Sequence, residues 1–158
     1  MAGDELHVVF GASGGVGNAL IRELTAQGKR VRGVNRGGKA DVPDGVEMVA
    51  GNAADPPGVR GICKGATVVY NCVFPPTIDA LIEGAADTDA RLVYTDGLSV
   101  YGPVSGPITE DLPYQPRGKH GKIRSQMATT LMDAHRTGKV RAAIGRASDV
   151  FGPGVVYS

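Results

Sequence analysis

Short apolar runs alternate with segments of helical periodicity from one end of the chain to the other. Leu6-His7-Val8-Val9-Phe10 is a run long enough for one buried strand and too short for a helix. Residues 16–26 carry Val16, Ala19, Leu20 and Leu24 at helical spacing, which predicts an amphipathic helix. The same logic predicts strands over 30–35, 46–50, 66–71, 91–95 and 140–146. Helices are predicted over 77–86 and 122–135, the latter with Ile123, Met127, Leu131 and Ala134 on one face, and a weak helical segment follows Pro56-Pro57 up to Cys63. Residues 102–118 hold four prolines and read as a long loop. Strict alternation of strand and helix implies a parallel sheet covered on both faces. The expected fold is therefore an α/β, doubly wound Rossmann domain of about six strands in the order 3-2-1-4-5-6, spanning residues 1–158 as one unit.

The turn after the first strand carries the chemistry. Gly11-Ala12-Ser13-Gly14-Gly15-Val16-Gly17 joins that strand to the first helix. Gly11 allows a tight turn, Gly14 lets backbone approach a pyrophosphate, and Gly17 lets the helix pack closely. Free amides and the dipole at the helix start favour an anion there. The motif predicts a dinucleotide site with Gly11, Ser13, Gly14, Gly15, Val16 and Gly17 around the phosphates. The second strand ends at Asn35-Arg36, where NAD-binding domains usually place an acid. Arg36 offers instead a guanidinium fork for a 2′-phosphate, so NADP is the expected cofactor, with NAD the other candidate. Lys39 can assist, whereas Arg32 is expected to face away.

Composition narrows the remaining classes. The chain has 158 residues, 42% apolar and 21% charged, with a net charge of +1. This is a globular profile with no broad electrostatic pull toward nucleic acid or a membrane surface. Trp is absent and aromatics make up 5%, which leaves no stacking platform for single-stranded nucleic acid. Glycine, with 24 residues, is about twice as frequent as usual. No apolar run reaches membrane-spanning length and the N-terminus carries acids, so a cytoplasmic location is expected. Cys63 and Cys72 show no metal-ligand spacing, and no metal site is expected.

Together these motifs resemble the extended and atypical short-chain dehydrogenase/reductase superfamily, which includes the NAD(P)-dependent epimerases and dehydratases. Gly51-Asn52-Ala53-Ala54-Asp55 resembles its turn beside adenine, which implies Asn52 and Ala53 as contacts. Asn71-Cys72-Val73 resembles the turn along the cofactor, and Thr95 ends the fifth strand at the same edge. Val100-Tyr101-Gly102-Pro103 and the stretch from Arg146 to Gly154 resemble later family segments. The usual catalytic Ser or Thr falls on Gly97, and the tyrosine four residues before Lys122 falls on Gly118. Lys122 is the candidate for holding the nicotinamide ribose. Tyr101, Asp96 and His120 are candidate replacements for the acid–base groups. Cys72 follows the fourth strand and is either a reactive thiol or an inert packed one.

The resemblance also implies a chain without the C-terminal region that builds the substrate pocket. Val150, Phe151, Val155 and Val156 would then lack cover, and a homo-oligomer is expected. Three functions stay open: an oxidoreductase or epimerase-like enzyme on a small carbonyl or nucleotide-sugar substrate, a non-catalytic NADP-sensing or scaffold module, and a piece of a longer oxidoreductase.

Overall fold

The computed structural model describes residues 5–74, 78–152 and 155. In it β1 (Leu6–Phe10), α1 (Gly15–Ala26), β2 (Arg30–Asn35), β3 (Glu47–Ala50), α2 (Pro56–Cys63) and β4 (Val68–Asn71) are followed by α3 (Asp79–Ala86), β5 (Arg91–Gly97), α4 (Gly118–Arg136) and β6 (Arg141–Ala147). The six strands form one parallel sheet in the order β3-β2-β1-β4-β5-β6, as the alternation predicts. The order reverses direction between β1 and β4, the place where ligands bind in such sheets.

Helices cover the two faces unequally. Val8, Phe10, Val69, Leu92 and Tyr94 point to one face and pack with α2, α3 and α4 through Val59, Leu81, Met127 and Leu131. Val9 and Val31 point to the other face, where Ile21 and Leu24 of α1 cover them. Each fully buried aliphatic side chain here stabilises the fold by about 1.5–3 kcal/mol. β1 is buried on both sides, which explains its unbroken apolar run. β6 alternates between exposed and half-buried positions, because α4 covers one face only. The expectation of cover on both faces thus fails at this edge among the described residues. Ala143, Gly145 and Ala147 are exposed there.

Two boundaries shift with consequences for the site. β5 runs to Gly97 rather than Thr95, and a one-turn 3-10 helix follows at Leu98–Val100. α4 begins at Gly118, four residues before the predicted start. Gly121 sets how α4 approaches: a Cβ there would lie 2.8 Å from the Ser99 carbonyl oxygen. Position 77 of the predicted helix, positions 153 and 154 of the last family-like segment, and Val156 lie outside the described residues. Val150 is 39% and Phe151 92% exposed, while Val155 is half-buried. No helix among the described residues is long and apolar enough to cross a membrane.

Candidate functional site

Two clefts open at the carboxyl edge of the sheet and share one wall, Cys72, Val73 and Phe74. The first runs from the glycine loop (Gly11, Ser13, Gly14) past Asn35, Arg36 and Gly37 to Asn52 and Ala53. The second runs from Val16 past Thr95, Asp96, Ser99 and Arg124 to Arg146 and the segment 147–150.

The glycine loop satisfies the steric conditions for an anion cradle. Gly11 has φ +99°, and a Cβ there would meet the Cys72 carbonyl oxygen at 2.7 Å. At Gly17 a Cβ would lie 2.1 Å from the Gly11 carbonyl oxygen, so only glycine lets α1 close on the loop. Gly14 differs: its Cβ would make only one ordinary contact, at 3.5 Å, so its surface faces the cleft. Gly14 caps α1 without any side-chain hydrogen bond, and the first turn contains no acid. The first-turn amides therefore lack both intrahelical acceptors and a compensating carboxylate. That is the donor set a pyrophosphate needs, and the dinucleotide fits the loop on this ground.

Around it, the polar residues divide by what they already hold. Asn35 is spent on its own turn: its Nδ2 donates to the Lys39 carbonyl at 2.8 Å. Arg32 is bound on the far side, to Glu47 at 2.9 Å and the Ile62 carbonyl at 2.5 Å. Arg36 is exposed and lines the first cleft, with no carboxylate among the residues lining that cleft. Asn52 Oδ1 accepts the Ala54 amide at 3.0 Å, and Asn71 Oδ1 accepts the Val73 amide at 3.2 Å, so both shape their turns. The Thr95 hydroxyl donates to the Asn71 carbonyl at 2.8 Å and ties β5 to β4 beneath the second cleft. Cys72 lines both clefts, but burial pushes its thiol up to about 11. It is neutral near pH 7 and not a poised nucleophile.

The acid–base candidates are placed less favourably than the sequence suggests. Asp96 faces Arg146 directly across the β5–β6 register. Its carboxylate is 0% exposed and pairs with Arg146 Nε at 3.1 Å and Arg124 Nη1 at 3.3 Å. A carboxylate held by two guanidiniums is a counter-ion rather than a free base. Tyr101 is also buried, and its hydroxyl accepts from Arg146 Nη1 at 2.9 Å. Arg146 donates to the Tyr114 hydroxyl as well and lies within 5.2 Å and 4.9 Å of the two ring centres. This clamp fastens both ends of the long loop to β6. Lys122 is exposed on α4 and lies outside the residues lining either cleft.

Helix register explains the Lys122 result. The start at Gly118 makes His120 and Arg124 neighbours one turn apart. Both meet Phe74, His120 edge-on at 5.7 Å and Arg124 with its guanidinium 4.7 Å over the ring. Lys122 lies about 200° further round the helix from His120. Sequence reasoning singled out His120 but missed Arg124, Phe74 and the clamp role of Arg146. The i, i+4 spacing of His120 and Arg124 was the available signal.

Residues 11–142 match the family described as NAD(P)H-binding. The chain belongs to the NAD(P)H-binding family. Its glycine loop, both turns of the first cleft and β5 fall inside the matched span. No curated protein matches the chain. Among solved structures it is similar to a UDP-galactose 4-epimerase, at TM-score 0.86 and 22% identity over 97% of this chain and 59% of that one. It is also similar to MoeE5 in complex with UDP-glucose and NAD, at TM-score 0.79 and 22% identity over 94% of this chain and 56% of that one. A third is a dTDP-glucose 4,6-dehydratase from Bacillus anthracis in complex with NAD, at TM-score 0.86 and 15% identity over 96% and 57%. These likenesses establish a shared Rossmann fold, and this NAD(P)H-binding chain spans under two thirds of each of the three proteins.

Proposed function

We propose that the chain holds a nicotinamide dinucleotide across both clefts, adenosine in the first and nicotinamide in the second, and prefers NADP. The observation that carries this reading is the uncapped, acid-free start of α1, in a cleft whose β2 wall ends in Arg36. In this reading the amides of Ser13, Gly15 and Val16 hold the pyrophosphate, with Gly11, Gly14 and Gly17 giving the backbone its shape. Asn35 orders the turn that presents Arg36 to the 2′-phosphate. Asn52 and Ala53 flank adenine, and Cys72, Val73 and Thr95 form the floor toward nicotinamide, while Asn71, buried and outside both linings, shapes the turn beneath them. When bound, the dinucleotide supplies a hydride donor or acceptor.

The second cleft is then the place for a substrate, a small carbonyl compound or a nucleotide sugar such as the UDP-glucose bound by MoeE5. His120 is itself outside the lining residues, but it is exposed and edge-on to Phe74 in the cleft wall, and it is the proposed proton carrier. Lys122 reaches a ribose only if its side chain swings toward the cleft rim. In this reading the chain also self-associates, because the bare face of β6 and Phe151 would gain cover.

A second reading, a non-catalytic module that responds to NADP, draws on the clamp. Asp96 and Tyr101 are consumed by Arg146, which leaves little acid–base chemistry in place. Titration with NADPH and NADH, followed by nucleotide fluorescence, tests the cofactor. NADPH should bind at least about tenfold tighter, and Arg36→Asp should remove that margin. Equal affinities in both proteins would refute the preference. Turnover of a carbonyl substrate that is lost in His120→Ala separates the enzyme from the module.

A further inference from the structure

We infer that the second cleft recognises a carboxylate, through the guanidinium of Arg124. The inference rests on reading that cleft as the substrate end. It begins with a local charge count: Arg124 and Arg146 face one buried carboxylate, Asp96. One positive charge is therefore left over.

The geometry assigns that charge to Arg124. Arg146 is 13% exposed and closed, with Nε on Asp96, Nη1 on Tyr101 and Nη2 on Tyr114. Its two tyrosine rings leave little room for a further partner. Arg124 is 29% exposed, lines the cleft and donates to Asp96 from one nitrogen. The neighbouring Tyr94 stays a neutral phenol, because burial pushes it up to about 12. Asp96 and the Tyr94 hydroxyl engage part of the Arg124 fork, and its remaining N–H donors are available to a ligand.

That fork is oriented before any ligand arrives. Asp96 holds one edge and Phe74 holds one face, at 4.7 Å. A fixed planar fork pairs with a carboxylate through two parallel hydrogen bonds, and little side-chain freedom remains to be lost on binding. The other groups facing the space are few. Ser99 and Ser148 are exposed neutral hydroxyls. Asp149 also lines the cleft and offsets the surplus charge in the count, but it is exposed, where solvent and salt screen it, so the surplus is local to the Asp96 cluster. One fork and one surplus charge match a single carboxylate better than a phosphate dianion.

The test compares propionate with propionamide, which share shape and differ in charge, by calorimetric titration of the full chain with and without saturating NADP+. Propionate should bind saturably, and propionamide at least about tenfold more weakly. With NADP+ bound, Arg124→Gln should lower propionate affinity by a similar factor, and Arg124→Lys should recover part of it. Equal binding of the two probes, tighter binding of inorganic phosphate than propionate with NADP+ bound, or propionate affinity untouched in a folded Arg124→Gln would overturn the inference. Where Arg124→Gln fails to fold, Arg124→Lys decides the matter: propionate affinity equal to wild type overturns the inference. Absence of NADP+ binding sinks the dinucleotide reading instead, and the difference between wild type and the Arg124 variants then decides the carboxylate, because propionate at the glycine loop binds all of them alike.

Discussion

Removing Arg146 tests whether the buried clamp is as strong as its geometry implies. Arg146→Met keeps the unbranched stem as far as the Nε position and deletes the charge and donors. At the observed 3.1 Å, the pair with Asp96 has a gross Coulomb attraction of about 5 kcal/mol at an effective dielectric near 20. Desolvation of both groups offsets much of this, so the pair itself is nearly neutral against an apolar replacement. Deleting one partner is different, because Asp96 stays at 0% exposure. Stranding a buried charge costs about 3–5 kcal/mol, and Arg124 at 3.3 Å compensates part of it. The expected loss is about 3 kcal/mol, which lowers the melting temperature of a domain this size by roughly 6–12 °C. Urea unfolding of Arg146→Met, Asp96→Asn and the double variant gives the coupling energy. It should be about 2 kcal/mol. A coupling below about 0.5 kcal/mol, the value of an exposed pair, would refute the reasoning.

Other perturbations test other parts of the account. Gly17→Ala should lose about 2 kcal/mol of stability and most nucleotide binding, because its Cβ would lie 2.1 Å from the Gly11 oxygen. Gly14→Ala should keep the fold and weaken only the nucleotide, and equal melting losses in the two variants would contradict this. Cys72 should react with iodoacetamide on the order of a hundredfold slower than a free thiol at pH 7.5, since its thiol sits at about 11; labelling at the free-thiol rate would be the contrary result. His7 is buried against Tyr70, 3.1 Å from its hydroxyl, and burial lowers its pKa while the Glu5 carboxylate opposes that shift. The unfolded chain then takes up a proton that the folded chain resists. Stability should be full above about pH 6.5 and fall as pH drops from there toward the lowered folded value. His7→Phe should flatten that slope between pH 7.5 and 5.5, and an unchanged slope would locate it elsewhere.

Most of the fold was legible because its strands and loops obey local rules. β1 reads as a strand since both its faces are covered, and the glycine loop reads as a cradle since each glycine answers a separate steric demand. The start of α4 was not legible: Gly118, with φ +76°, looks like a loop residue until its neighbours are seen to continue as helix. With the helix expected to start at Lys122, His120 was not seen to share a helix face with Arg124. The clamp was equally hidden. It joins residues 45 and 32 positions apart in sequence through Arg146, and no spacing rule links such residues before the β5–β6 register is known.

Backbone amide shifts recorded by NMR during titration with NADP+ test the central claim most directly. The account predicts saturable shifts at Ser13, Gly15, Val16, Arg36 and Asn52, with Lys29 and Lys139 at the opposite end of the sheet unmoved. Saturable shifts confined to the face of β6, or no shifts at millimolar NADP+, would contradict it.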